Sequence, residues 1–197
     1  MNSLIILSTI LALGLYVPLC IQLLTGKVRQ NLATWMLWST LDGISAGTII
    51  AQHGNYLLPL AYTIGSGIAT FCILKSKQVV WTWFESFVTF LVLVCLAIWA
   101  LSGSKTATVA STLAMVIAGI PQLIETARKP WETPILIYLG YFTANSLSVF
   151  GGKDWLIQER FYPSSAAIYC FFIVILAMRK LYLGPLKIQE IQKLKIE

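Results

Sequence analysis

Asp42 is the residue in this 197-residue chain whose position most needs a chemical explanation. It lies in the apolar stretch Trp38-Ser39-Thr40-Leu41-Asp42-Gly43-Ile44-Ser45. A carboxylate in the middle of a membrane-crossing helix costs a few kcal/mol, so such a group normally faces a bundle interior or a cavity. Trp35, Trp38, Asp42 and Ser45 follow i, i+3, i+7, i+10 spacing, which puts them on one helix face. Tyr138, Tyr141, Asn145 and Ser148 repeat that face later in the chain. Two matching polar and aromatic stripes suit the walls of a cavity that binds a polar solute. One stripe carries a titratable group and the other an amide. Asp42 is therefore the candidate for proton coupling, and Asn145 a candidate hydrogen-bonding partner for the solute. The plainer alternative is a protonated Asp42 that only hydrogen-bonds between helices.

The elements that must position these residues are themselves repeated. A shift of 103 positions places Pro18 on Pro121, Gln22 on Glu125, Trp35 on Tyr138, Trp38 on Tyr141, Asp42 on Asn145 and Ser45 on Ser148. One more residue in the next loop, an offset of 104, aligns Pro59 with Pro163 and Lys75 with Arg179. Internal repeats of this kind in membrane proteins place a substrate site between the copies. The composition, 57% hydrophobic and 11% charged, excludes a water-soluble globule and leaves no separate soluble domain. Hydropathy predicts seven helical spans near 4–24, 33–52, 56–74, 84–102, 106–125, 133–151 and 162–182. The expected fold is an all-α polytopic membrane protein with seven transmembrane helices arranged 3+1+3, as two parallel triple-helix bundles. Its parts are a first repeat (1–78), a linker helix (79–105), a second repeat (106–184) and a cytosolic amphipathic tail (185–197).

Charge orients the spans. Connections after spans 1, 3, 5 and 7 carry eleven Lys and Arg, against three (Lys105, Lys153, Arg160) after spans 2, 4 and 6. The N-terminus is expected outside and the C-terminus in the cytosol. A single helix between two triplets restores the orientation of the second copy. Pro18 and Pro121, late in spans 1 and 5, read as kinks that serve as hinges. Pro59 and Pro163 sit in first turns and read as structural. Tyr62, Thr63 and Ser66 in span 3, and Ser164, Ser165 and Tyr169 in span 7, are candidates to extend the cavity.

Other features read as architecture. Glu85, after Trp81-Thr82-Trp83, reads as an interfacial carboxylate reaching toward Lys75 or Lys77. Trp99, Trp131 and Trp155 read as interfacial belt residues. Ile188, Ile191 and Leu194 form one stripe among lysines, as in a helix lying on an anionic membrane surface. Cys20, Cys72, Cys95 and Cys170 are scattered and His53 stands alone, so neither a metal site nor a cofactor is expected. The first apolar run lacks a basic leader and a cleavage site, and is expected to be a retained span.

Gly119-Ile120-Pro121-Gln122-Leu123-Ile124, followed by Arg128-Lys129, resembles the proline-glutamine motif of the PQ-loop superfamily, which includes the SWEET sugar transporters. Trp38-x-x-x-Asp42-x-x-Ser45 is similar to the second-helix pattern of those repeats, with Leu41 and Ser45 as departures, and the first copy has lost the Gln after Pro18. The resemblance implies two bundles packed in the order first, third, second, with substrate held between them. It also implies hinge roles for Pro18, Pro121 and Gln122. Ser45, Ser148 and Ser164 stand where SWEETs contact sugar, so the sugar-binding set is missing. Pro18, Pro121 and Pro134 match three places of the SWEET proline tetrad, and Asn31 occupies the fourth. Asp42 resembles the membrane carboxylates of proton-coupled amino-acid exporters in the superfamily.

These readings lead to a transporter for a small polar metabolite, amino-acid-like by preference, working by alternating access with proton coupling. The candidate solute contacts are Trp35, Trp38, Asp42, Ser45, Tyr138, Tyr141, Asn145, Ser148 and Ser164. An uncoupled SWEET-like facilitator for a sugar or vitamin is the nearest alternative, and a membrane receptor or scaffold on the same fold the next. An enzyme is not expected, since the chain offers no nucleophile–base pair, metal cluster or phosphate-binding glycine loop. Expected partners are the solute, the lipid bilayer and protons, without nucleic acid, and assembly into a homo-oligomer is left open. The chain has no Asn-x-Ser/Thr sequon, which favours a bacterial inner membrane over an organelle membrane.

Overall fold

The computed structural model describes the backbone of residues 2–28, 30, 32–75 and 83–193, with their side chains except at 33, 84, 85, 88, 180 and 182–193. Several sequence expectations lie outside these described residues: those on Arg29, Asn31, Lys77, Trp81, Thr82 and Leu194, and on the side chains of Glu85, Ile188 and Ile191.

All regular structure in the described residues is helical. The helices are α1 (Ser3–Leu24), α2 (Leu32–Ile50), α3 (Leu57–Lys75), α4 (Trp83–Ser102), α5 (Ser104–Ala118), α6 (Ile120–Arg128), α7 (Ile135–Gly151) and α8 (Tyr162–Lys193). A 3-10 turn at Pro130–Glu132 and a π-turn at Ile157–Phe161 precede α7 and α8. Asn2 starts α1 by accepting the Leu4 N–H at 3.1 Å, and its own amide donates to Gly151 O at 3.1 Å, tying α1 to the end of α7. Gly103, at φ +84°, makes the sharp joint between α4 and α5 in a region that side chains with a Cβ avoid.

Four helical segments are long and apolar enough to cross a membrane: Ser3–Leu24, Leu57–Lys75, Ser104–Arg128 and Ile157–Arg179. Polarity is distributed inside out relative to a water-soluble protein. Asp42, Thr108, Ser111, Thr112, Gln122 and Asn145 are buried, while Leu101, Leu136 and Phe150 lie on the outer surface. Apolar exposure on this scale marks a surface meant for lipid or for other protein.

The helices close a ring. α3 packs between α1 and α2, α8 packs against α7 on one side and α5–α6 on the other, and the ring is completed by α1 on α7 and α2 on α5. α4 lies outside it, against α2 and α5. Small residues allow the close seams: a Cβ on Gly140 would stand 2.7 Å from Leu15, and one on Gly47 2.7 Å from Trp99. Trp99, expected in an interfacial belt, is therefore half-buried against α2.

Two expectations of continuous helix with matched kinks change in detail. The predicted fifth span is broken at Gly119, two residues before Pro121, and Pro121 sits in the first turn of the new helix α6. Proline supplies no N–H for the Ile117 carbonyl, and the glycine before it absorbs the turn. α1 instead runs unbroken through Pro18. The two proline positions are thus not structurally equivalent. α8 also continues to Lys193, past the predicted end near 182.

Candidate functional site

A partly open cavity lies among the helices of the ring. Its walls come from α1 (Tyr16), α2 (Trp35, Trp38, Asp42), α3 (Tyr62, Ser66), α5 (Met115), α7 (Tyr138, Tyr141, Asn145) and α8 (Tyr162, Ala166, Tyr169, Cys170). Eight of these fourteen residues are Tyr or Trp. The rings meet edge to face: Trp35 and Trp38 at 5.1 Å, Trp38 and Tyr169 at 5.6 Å, Tyr62 and Tyr141 at 5.7 Å. Edge-to-face contact is the favourable geometry for aromatic quadrupoles and holds the walls in place. The space left for centres of water-sized molecules is about 50 Å³, enough for on the order of three to five waters.

Asp42 is 4% exposed and accepts a 2.7 Å hydrogen bond from the Tyr162 hydroxyl at the start of α8. Asn145 is 1% exposed and donates through Nδ2 to the Tyr62 hydroxyl at 2.7 Å and to Tyr141 O at 2.8 Å. Each polar residue of a second helix is thus held by a tyrosine on the third helix of the other repeat. The Asn145 Oδ1, Tyr138 hydroxyl and Tyr141 hydroxyl are buried without a protein partner. A buried polar atom left unmatched costs about 1–3 kcal/mol, and Asn55 Oδ1, Gln122 Oε1 and Glu132 Oε2 are likewise unmatched away from the cavity.

Several groups fix the walls from behind. Trp35 Nε1 donates to Gln30 Oε1 at 3.1 Å and Trp38 Nε1 to Met115 O at 3.0 Å, so both indole N–H groups are already used. The Tyr169 hydroxyl donates to Gly119 O at 3.0 Å, at the break between α5 and α6. The Gly119 carbonyl, which also accepts the Leu123 N–H at 3.1 Å, is thereby tied to a cavity residue.

The structure brings Trp35, Trp38, Asp42, Tyr138, Tyr141 and Asn145 of the two predicted stripes together on this cavity. It places the serines elsewhere. Ser45 bonds Ser111 on α5 at 2.8 Å, Ser148 accepts from Asn55 at 3.0 Å, and Ser164 is half-buried in the first turn of α8 outside the wall. Ser45 belongs to a hydroxyl seam in which Thr108 bonds Thr48 at 2.8 Å and receives Gln52 Nε2 at 2.8 Å. Of the predicted hinge residues, Pro18 is exposed, Pro121 half-buried, and Gln122 is buried with Nε2 3.4 Å from Thr126 Oγ1. Tyr16 and Tyr162 were not singled out by sequence reasoning. Tyr162 shares an offset of 104 with Leu58, and Tyr16 one of 103 with Gly119, so the repeat gave no matching aromatic for either.

Among the described residues no cluster of three or more His, Cys, Asp or Glu side chains forms a metal site. Compared with protein-family models, with curated proteins and with solved structures, the chain matches none. A functional assignment therefore rests on the geometry of the cavity.

Proposed function

We propose that the protein is a membrane transporter for a small polar solute, built from seven spans in a 3+1+3 order and working by alternating access around the central cavity. In this reading α1–α3 form one bundle, α5–α8 the other with α5 and α6 as one bent span, and α4 links them. The packing of α3 between α1 and α2, and of α8 between α7 and α5–α6, supports the first-third-second order that the PQ-loop resemblance implies. The excess of basic residues after odd-numbered spans supports an outside N-terminus and a cytosolic C-terminus.

The observation that carries the reading is the crossed pair of hydrogen bonds, Tyr162 to Asp42 and Asn145 to Tyr62. Both run from one bundle to the other across the cavity. Rocking one bundle against the other breaks both and opens the cavity to one side, and solute supplies replacement partners. Transporters with internal repeats hold substrate at such a junction near the membrane midplane. The Gly119 break places a point of bending next to the cavity wall.

Two experiments test this. In proteoliposomes, mixed amino acids and mixed sugars are offered with and without a proton gradient to wild type and Asp42→Asn. Solute-dependent flux is expected, and loss of the proton-driven component in the variant assigns coupling to Asp42. With Cys20, Cys72 and Cys95 replaced by Ala, Cys170 in the cavity wall is then probed with impermeant thiol reagents from each side. Labelling from both sides is expected. Absence of flux together with absence of labelling from either side removes the transporter reading.

A further inference from the structure

The cavity has an uneven hydrogen-bonding inventory. Its donors are largely used by the protein: Trp35 and Trp38 bond outward, Tyr162 donates to Asp42, Tyr169 to Gly119 O, and both Asn145 amide contacts are taken. The phenols of Tyr16, Tyr62, Tyr138 and Tyr141 hold the remaining donor capacity, with the Tyr16 and Tyr141 hydroxyls side by side. On the acceptor side stand the Asp42 carboxylate, the unpartnered Asn145 Oδ1, and the Tyr138 and Tyr141 oxygens. Charge is equally one-sided. Among the described residues the lining holds one carboxylate and no Lys, Arg or His, together with eight aromatic side chains.

The complement of such a site carries positive charge and hydrogen-bond donors for the carboxylate and the Asn145 Oδ1. A primary ammonium group has three N–H donors and no acceptor. Aromatic faces attract it further, more strongly when it is desolvated. A zwitterionic amino acid would bring a carboxylate for which the lining has no cation. A sugar, being neutral, would leave the carboxylate without a counter-charge. The size of the space fits about four non-hydrogen atoms.

We infer that the solute taken by this site is a small primary ammonium ion, which neutralises Asp42 in exchange for a proton. The inference rests on the transporter reading and narrows its substrate class away from amino acids. The exchange balances charge: a proton leaves the Asp42 carboxyl as the ammonium arrives, and returns when it departs. The other titratable groups facing Asp42 across the cavity are Tyr16, Tyr62, Tyr138, Tyr141, Tyr162, Tyr169 and Cys170. Asp42 is the only carboxyl among them, so the exchange proton is assigned to it.

The test uses the full chain in nanodiscs and proteoliposomes, with ethanolamine, glycine and glucose as probes. Tryptophan fluorescence reports binding through Trp35 and Trp38, and tracer uptake reports flux. Saturable ethanolamine binding is expected, with proton release to a weakly buffered medium that Asp42→Asn abolishes. Asp42→Asn should weaken binding by about thirtyfold or more, since a buried ionic partner is lost. Adding Asn145→Asp to Asp42→Asn, which moves the carboxylate to the opposite wall, should restore part of the affinity and guards against a variant that merely misfolds. Binding and uptake of glycine or glucose in preference to ethanolamine would overturn the ammonium inference and leave the transporter standing. No binding and no flux of any of the three would overturn both.

Discussion

Tyr169 lies over Gly119, and the same relationship recurs in the first half of the chain with the partners exchanged. The offset of 103 carries Tyr16 onto Gly119, and the offset of 104 carries Gly65 onto Tyr169. Tyr16 on α1 packs on Gly65 of α3, whereas Tyr169 on α8 packs on Gly119 at the end of α5. A Cβ added to Gly119 would stand 2.5 Å from the Tyr169 ring, and one added to Gly65 still closer to the Tyr16 ring. Both places thus set one ring over one gap, between α1 and α3 and between α8 and the end of α5.

Substituting either gap should therefore be costly. Gly119→Ala and Gly65→Ala are expected to destabilise the fold by about 1–3 kcal/mol each, as overpacking does. Tyr169→Ala should relieve Gly119→Ala while leaving Gly65→Ala unrelieved. Unfolding of the purified protein in detergent measures both, and full additivity of Gly119→Ala with Tyr169→Ala would refute the pairing.

Tyr162→Phe removes the donor that Asp42 uses. A hydrogen bond to a charged or chargeable buried group is worth about 1.5–3 kcal/mol, so Tyr162→Phe should cost more than Tyr169→Phe, whose acceptor is a neutral carbonyl. A double-mutant cycle with Asp42→Ala, which removes the acceptor, should show coupling of about 1–2 kcal/mol, above the ~0.6 kcal/mol average of polar contacts between membrane helices. A coupling near zero would contradict the geometry.

The hydroxyl seam predicts a different outcome. Ser45→Ala and Ser111→Ala remove a buried contact between α2 and α5 that lies outside the cavity wall. Coupling near the ~0.6 kcal/mol average is expected, with solute binding unchanged. A change in solute affinity larger than the change in stability would return Ser45 to the site.

Arg160 closes the far end of α7. Its guanidinium donates to Val149 O at 2.7 Å, Gly152 O at 2.7 Å and Asp154 O at 2.9 Å, and stacks 4.2 Å over Trp155. The planar fork makes these bonds together, which a lysine ammonium does not reproduce. Arg160→Lys is expected to lower stability by about 1–2 kcal/mol and to raise amide exchange at the end of α7 before any other helix. Uniform exchange across all helices would refute this local role.

The two polar stripes were legible in the sequence because helical spacing alone groups Trp35, Trp38 and Asp42, and again Tyr138, Tyr141 and Asn145. The same spacing carried Ser45 and Ser148 too far. At about 100° per residue, ten residues from Trp35 leave Ser45 rotated by about 80° and a turn beyond Asp42, where α2 meets α5. A stripe read from spacing has no knowledge of where a neighbouring helix takes over. Tyr16 and Tyr162 stayed hidden for the complementary reason: their roles depend on which helices face each other across the ring. The bend was expected at Pro121 because proline is the stronger local signal, but Gly119 is where the backbone can yield.

The crossed bonds make the two stretches related by the offset complementary rather than interchangeable. The offset of 104 places Leu58 where Tyr162 stands and Ala166 where Tyr62 stands. Neither stretch carries, at the matching position, the tyrosine that its own polar residue uses. Asp42 depends on Tyr162, and Asn145 on Tyr62, so each stretch supplies what the other requires.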